Sequence, residues 1–299
     1  MPDPDAEKRP GAHMAAESAD ALAVLARALR SRPDLPASLA DLDRIDTIHT
    51  VARGSSDAAA TILAYEFMQV LRRPVTSLPP STFSLYHGVA MPRFMGLILS
   101  QSGASQDLVA CATGMRANGA RVLALVNRPG SAVEAAAEAT IPVNAGPELA
   151  VPATKSVVGT VGAGLALLAR WVPDVLPRID AAASHFDRAD PGAIDLGDIE
   201  AQLHAAASVY IVGRGSGFGA AQEVALKLKE TAAVHAEAYS ASEVLHGPRQ
   251  LATGSLFILM IDTGEPATQP SLDQAETRLA QAGGQVARLR VPGAEILTP

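Results

Sequence analysis

The chain has 299 residues, enough for one large domain or two of ordinary size, and 48% apolar residues supply a sizeable core. A net charge of −7 with no Lys/Arg run argues against nucleic acid as the main ligand. No apolar run approaches the ~18–20 residues that span a membrane, so a cytoplasmic protein is the expectation. One cysteine, Cys111, rules out an intramolecular disulfide, and 4% aromatics leave a core of Ala, Val and Leu, whose small side chains suit close helix–sheet packing in a layered α/β protein.

The first eleven residues, MPDPDAEKRPG, are charged and Pro-rich and read as a disordered leader. Residues 13–32 read as one amphipathic helix with Leu22, Leu25, Ala26 and Leu29 on a face, ended by Pro33 and Pro36. From 47 the pattern is strand, tight turn, helix: a β-rich run at 47–52, the turn RGSSD at 53–57, and an Ala-rich helix to about Leu71. Short strands follow at 75–78 and 94–99, then SQSGASQD at 100–107 opens a helix to about Asn118. A strand at 121–127, a short helix and a strand at 140–143 close this unit. Residues 145–156 are irregular and lead into a long helix, and 172–200 reads as helical pieces broken by Pro173, Pro177 and Pro191, where the linker is placed. The pattern then restarts with a strand at 208–212, the turn GRGSG at 213–217 and a helix, followed by a strand at 256–261, a helix at 268–282 and a strand at 285–289.

This restart is an internal repeat. VARGS at 51–55 matches VGRGS at 212–216, each ending a strand and opening a helix. Strands alternating with helices imply parallel sheets with right-handed crossovers, and two copies imply two similar α/β domains, with boundaries placed at 45–180 and 195–299 after an N-terminal leader and helix at 1–44.

Three turns share one design, in which small hydroxylic residues and glycine sit between a strand end and a helix start. The free N–H groups and dipole of such a helix favour an anion. Helix capping explains Ser or Asp in any single such loop. For 100–107, with three serines and two glutamines around Gly103, phosphate binding is the better explanation. GRGSG at 213–217 resembles part of a dinucleotide fingerprint, without a ribose-binding acid after the next strand. Lys155 serves equally well as a phosphate partner or as a snorkelling side chain. No His/Cys/Asp/Glu set has metal spacing, and no cofactor is expected.

The densest chemistry lies at 223–248, EVALKLKETAAVHAEAYSASEVLHGP, read as a helix ending in a turn. At 100° per residue Glu223, Lys227 and Glu230 share a narrow sector, opposite an apolar stripe of Ala221, Val224, Ala225, Leu228 and Ala232. An ordinary ion pair at i, i+4 accounts for part of this. The rest, with His235, Glu237, Glu243 and His246 close by, suits an acid/base site.

These residues resemble the sugar isomerase (SIS) domain family, and more narrowly the isomerase half of glutamine–fructose-6-phosphate aminotransferase and the SIS-type glucosamine-6-phosphate deaminases. The matching motifs are ARGSS at 52–56, LSQSGASQD at 99–107, AGPELAVPATKS at 145–156 and GRGSGFGAAQEVALKLKETAAVHAEAYSASEVLHGP at 213–248, in family order over about residues 45–290. The resemblance implies two SIS domains, each a three-layer αβα sandwich around a five-stranded parallel sheet, in a homodimer whose site is shared across the interface. It implies a sugar 6-phosphate held by Ser100, Gln101, Ser102 and Ser105, with Ser55, Ser56 and Val151 on the sugar side. It implies that Glu230 shuttles a proton between C1 and C2, with Lys227 beside it. It also implies that His246 opens the sugar ring in the partner's site. A C1/C2 proton shift needs a carboxylate in hydrogen-bond reach, and ring opening near neutral pH suits an imidazole.

Two departures from the family pattern stand out. The chain has no glutaminase domain with an N-terminal cysteine, so glutamine is not its expected ammonia source. Its last residues, Leu297-Thr298-Pro299, carry no counterpart of the family's tail lysine. The function expected is amino-sugar phosphate deamination, glucosamine 6-phosphate giving fructose 6-phosphate and ammonia. The alternatives are a glutamine-independent aminotransferase-like isomerase and a non-catalytic sugar-phosphate-binding regulator. The latter usually carries a helix-turn-helix domain, for which the acidic first 45 residues are too short.

Overall fold

The computed structural model describes residues 10–190, 192, 196–252 and 256–290, and the chain divides into two compact units, Met1–Ala189 and Asp190–Pro299. Most of the leader, Pro191 and the tail at Leu297-Thr298-Pro299 lie outside the described residues.

In the first unit five strands form one parallel sheet: β1 (Thr47–Val51), β2 (Val75–Ser77), β3 (Phe94–Ser100), β4 (Arg121–Val126) and β5 (Ala139–Pro142), in the order β2-β1-β3-β4-β5. Its central strands are continuous apolar runs because both faces are covered. Side chains alternate between the faces. Leu97, Leu99, Leu123 and Leu125 pack with Leu63 and Phe67 of α4 (Ser55–Leu71) and Leu167 of α8 (Lys155–Trp171). Ile98, Val122, Ala124 and Val126 pack with Cys111 and Met115 of α6 (Gln106–Ala117) and Val133 of α7 (Ala132–Ala136). That is a three-layer αβα sandwich. Small residues set the helix spacing: a Cβ at Gly164 of α8 would overlap Leu63, and one at Gly162 would lie 2.8 Å from Ala28 Cβ.

The N-terminal helix is two helices, α1 (Ala12–Ala19) and α2 (Ala21–Leu29), and not the single span 13–32. The break falls at Asp20, whose N–H turns back to the carbonyls of Ala16 and Ser18. The buried face of α2 is Val24, Ala26, Ala28 and Leu29; Leu22 and Leu25 are only half-buried, although both Leu25 and Ala28 lie against Gly162 of α8. The stretch 172–200 contains helical pieces, as its sequence reads. Its helix α9 (Leu176–Phe186) packs on α2, where Asp187 pairs with Arg30 and Asp180 accepts from Arg32 Nη2 at 2.6 Å.

The second unit has four parallel strands among the described residues, not five: β6 (Ser208–Gly213), β7 (His235–Ser240), β8 (Leu256–Asp262) and β9 (Gln285–Arg290), in the order β7-β6-β8-β9. Val209, Ile211, Phe257 and Leu259 meet Ala221 and Ala225 of α11 (Gly217–Ala232) on one face. On the other face Val212, Ile258 and Met260 meet Leu272, Ala275 and Leu279 of α12 (Gln269–Gln281). The expected stripe on α11 is present except for Ala232, which is exposed in its last turn.

The order β2-β1-β3-β4 and the order β7-β6-β8-β9 are the same arrangement, which is the internal repeat in three dimensions. Gly54 (φ +55°) and Gly215 (φ +59°) occupy the same place in the two strand–helix turns, in a left-handed region that glycine tolerates.

Candidate active site

In a parallel sheet of order 2-1-3-4-5 the chain leaves β1 in one direction and enters β3 in the other. The crevice at the carboxyl ends of those two strands is where ligands of such folds collect. The residues expected to hold substrate in the first unit lie there. Ser55 and Ser56 open α4 after β1; Ser100 ends β3, and Gln101, Ser102 and Ser105 follow it. Arg53, in the β1 turn, forms an ion pair with Asp107 in the first turn of α6 and ties the two loops together.

The loop after β3 is built on its own serines. Ser100 Oγ accepts from Gly103 N at 3.0 Å, and Ser102 Oγ accepts from Ala104 N at 3.3 Å. Each hydroxyl serves as acceptor there, and its hydrogen remains to donate. Gly103 has φ +61°, and a Cβ would overlap Ser131 and approach Val126 Cγ1 to 2.9 Å, so glycine is required. Ser105 is the N-cap residue of α6 yet makes no side-chain cap hydrogen bond. Ser131 at the start of α7 does cap, accepting from Glu134 N. Capping therefore explains Ser131 and leaves Ser105 without that role. The N-terminal turns of α4 and α11 also lack side-chain caps.

Val151, expected on the sugar side, is 97% exposed in the segment 145–156. Residues that the sequence reading passed over hold this segment. Asn127, just after β4, accepts from Ala145 N at 2.8 Å and donates to Gly146 O at 2.9 Å. Glu148 accepts from Thr154 N and Ser156 N, both at 3.0 Å, and from the Ser156 hydroxyl, which places a carboxylate at the positive end of α8. Its spacing of six and eight residues is not that of a capping box, so no local pattern announces it. Lys155 Nζ lies 3.6 Å from Asp20 Oδ2, a partner that its sequence context does not announce.

In the second unit Lys227 Nζ lies 2.6 Å from Glu230 Oε2 and 3.4 Å from Glu223 Oε1. The narrow sector read from the helical period is thus one carboxylate–ammonium–carboxylate row. Its side chains are 18% (Glu223), 17% (Lys227) and 38% (Glu230) exposed, so Glu230 is the member that solvent or a ligand reaches most easily.

The helix does not run on into the turn. His235 to Ser240 form β7, with Ala236 buried and His235 and Glu237 exposed. His246 lies exposed in the turn at 241–247, its N–H donating to Glu243 O. This turn starts where Ala241 N donates to Gly213 O, beside the start of α11. Glu230 sits in the last turn of that helix, ~20 Å along the axis at 1.5 Å per residue. Among the described residues no hydrogen bond or ion pair joins Glu230 to His246, and the partner of Glu230 is Lys227.

The pattern of the SIS domain matches residues 41–170 and 202–289. The chain belongs to the SIS domain family. Among SIS relatives, the isomerizing glutamine–fructose-6-phosphate aminotransferase of Methanothermobacter thermautotrophicus is 28% identical over 237 residues, 79% of this chain and 40% of that protein. The chain spans less than half the length of the curated relatives it matches. A crystal structure from Silicibacter pomeroyi, described as a candidate phosphosugar isomerase, superposes with a TM-score of 0.79 at 33% identity, covering 92% of this chain and 85% of that one. Glucosamine-6-phosphate deaminase from Thermotoga maritima superposes with a TM-score of 0.68 at 17% identity, covering 95% and 92%, a likeness of fold alone.

Among the described residues no group of three or more His, Cys, Asp or Glu side chains could hold a metal ion, and no helix is long and apolar enough to cross a membrane.

Proposed function

We propose that this SIS protein converts an amino-sugar 6-phosphate, with glucosamine 6-phosphate and water giving fructose 6-phosphate and ammonia. The observation that carries the reading is the serine loop at the β1/β3 crevice, where Ser105 opens α6 without capping it. A phosphate there takes hydroxyl donors from Ser100, Ser102 and Ser105, an amide donor from Gln101, and the dipole of α6. Holding the phosphate away from the reacting carbons turns binding energy into positioning.

The reaction needs three proton movements. His246 takes a proton from the C1 hydroxyl and gives one to the ring oxygen, which opens the ring. Glu230 takes the C2 proton and returns it to C1, while a proton passes from the amine nitrogen to O1, so that the aldehyde and amine become a C1 alcohol and a C2 imine. Water then adds to C2, and ammonia leaves. Lys227 holds Glu230 in place through the 2.6 Å contact, Ser55 and Ser56 line the sugar side, and Val151 borders the sugar. Glu230 lies in the last turn of α11, while the turn carrying His246 starts beside the first, which supports a homodimer in which His246 serves the partner's Glu230.

Purified protein given glucosamine 6-phosphate should release ammonia. Glu230→Gln should lower turnover by about 10²–10⁴-fold, the usual worth of a general acid–base group, with sugar-phosphate binding nearly intact. A Glu230→Gln chain turning over at the wild-type rate would remove this base from the mechanism. Tight fructose 6-phosphate binding without ammonia release from any amino-sugar phosphate would mark a binding regulator.

A further inference from the structure

The helical pair α1 and α2 lies outside the internal repeat, whose copies start at β1 and β6. It nonetheless carries a buried carboxylate. Glu17 is 6% exposed, and its two oxygens accept the backbone N–H of Leu149 at 2.5 Å and of Ala150 at 3.2 Å, across more than 130 residues of sequence. Three positions on, at the break between the helices, Asp20 reaches Lys155. Lys155 is a buried cation in the first turn of α8, where the helix dipole disfavours positive charge, so Asp20 offsets a local cost. Two carboxylates of one helical turn thus hold both ends of 149–155.

Glu148 holds the far end of this segment through Thr154 N and Ser156 N, and the segment's apolar side chains add little to that order. Leu149 and Val151 are large apolar side chains left in solvent, so neither contributes burial that would offset the entropy of fixing the backbone. The order comes from hydrogen bonds to ionised or polar side chains, which are stronger than neutral ones. With two successive N–H groups turned inward onto Glu17, the next peptide has little freedom, and Val151 is presented outward.

We propose that Glu17 is a positioning residue, which fixes the peptides of Leu149 and Ala150 so that Val151 meets the substrate. The proposal rests on the reading of Val151 as a sugar-side residue. Its test uses the whole chain and two readouts. Hydrogen exchange follows the amides of 149 and 150, with those of β3 and β4 as the measure of global stability. Calorimetry gives the Kd for fructose 6-phosphate. Glu17→Gln keeps the shape and one accepting oxygen; Glu17→Asp keeps the charge and guards against a Gln variant that folds poorly.

In Glu17→Gln, exchange at 149 and 150 should quicken and the Kd should rise by about tenfold, the size of one lost charged hydrogen bond, with β3 and β4 protected as in wild type. Glu17→Asp should recover part of both. Loss of protection throughout β3 and β4 would mean that Glu17 only stabilises the unit and would overturn the proposal. So would unchanged exchange at 149 and 150, or an unchanged Kd beside faster exchange. A wild-type chain that binds no sugar phosphate would instead sink the functional reading, and this proposal with it.

Discussion

At the scale of single residues, burial decides which charges matter. Arg288 donates to Asp262 Oδ2 at 2.9 Å, to Asp273 at 2.6 Å and to Glu276 at 3.0 Å, and the Asp262 side chain is only 3% exposed. Arg288→Met should cost about 3 kcal/mol, the low end for breaking a buried pair, because Gln269 and Gly264 still donate to Asp262. Arg93→Met, which breaks an equally short but exposed pair with Asp46, should barely move the urea midpoint. Equal effects of the two changes would refute the distinction. Burial alone would raise the Asp262 carboxyl; the donors of Gln269 and Gly264 and the Arg288 guanidinium outweigh it and hold it below the usual carboxylate range. A lowered folded value means that the unfolded chain takes up the proton first. The stability from Asp262 is thus complete above ~3.9 and is lost as pH falls through the folded value. Wild-type and Asp262→Asn midpoints, measured from neutral pH downward, should converge; parallel curves would exclude this titration. Burial pushes the Cys111 thiol up to about 11, so it should resist iodoacetamide at pH 8 until the unit unfolds, and rapid labelling of folded protein would contradict this.

At the scale of elements, glycines mark where strand and helix meet. A Cβ on Gly213 would overlap Gly217 O and come within 2.8 Å of Phe218 N, backbone atoms that cannot rotate away. Gly213→Ala should cost about 3 kcal/mol by overpacking the junction of β6 and α11. Gly247→Ala, with nothing within 4 Å of its Cβ, is the control in the same denaturant titration, and an equal loss there would undo the argument. The helix α11 was legible from its period because one face packs on the sheet. β7 was not, because Ala-rich HAEAYS at 235–240 lacks the β-branched residues that mark a strand. Its pairing with β6 makes it a strand. The break at Asp20 was also hidden, since the apolar spacing runs through it unchanged.

At the scale of the whole molecule, the repeat gives two sheets of one topology with divided chemistry. The serine loop belongs to the first unit, and the row of Glu223, Lys227 and Glu230 to the second. A proposed homodimer with His246 serving the partner makes a quantitative forecast. Co-refolded Glu230→Gln and His246→Ala chains, each inactive alone, should regain about a quarter of wild-type turnover, since half the dimers are mixed and each restores one of two sites. No recovery would assign His246 to its own chain's chemistry or to none.

The sequence by itself determined the parallel α/β layers, the repeat, the loop of serines after β3 and the sector of charges on α11, because each is written in local spacing. Only the tertiary structure decided that Ser131 caps while Ser105 does not, and that Lys155 answers Asp20. It also decided that Glu17, Asn127 and Glu148 hold the segment around Val151. Most of those contacts join residues far apart in the chain, and a hydrogen bond between them leaves no period in the sequence for the eye to find.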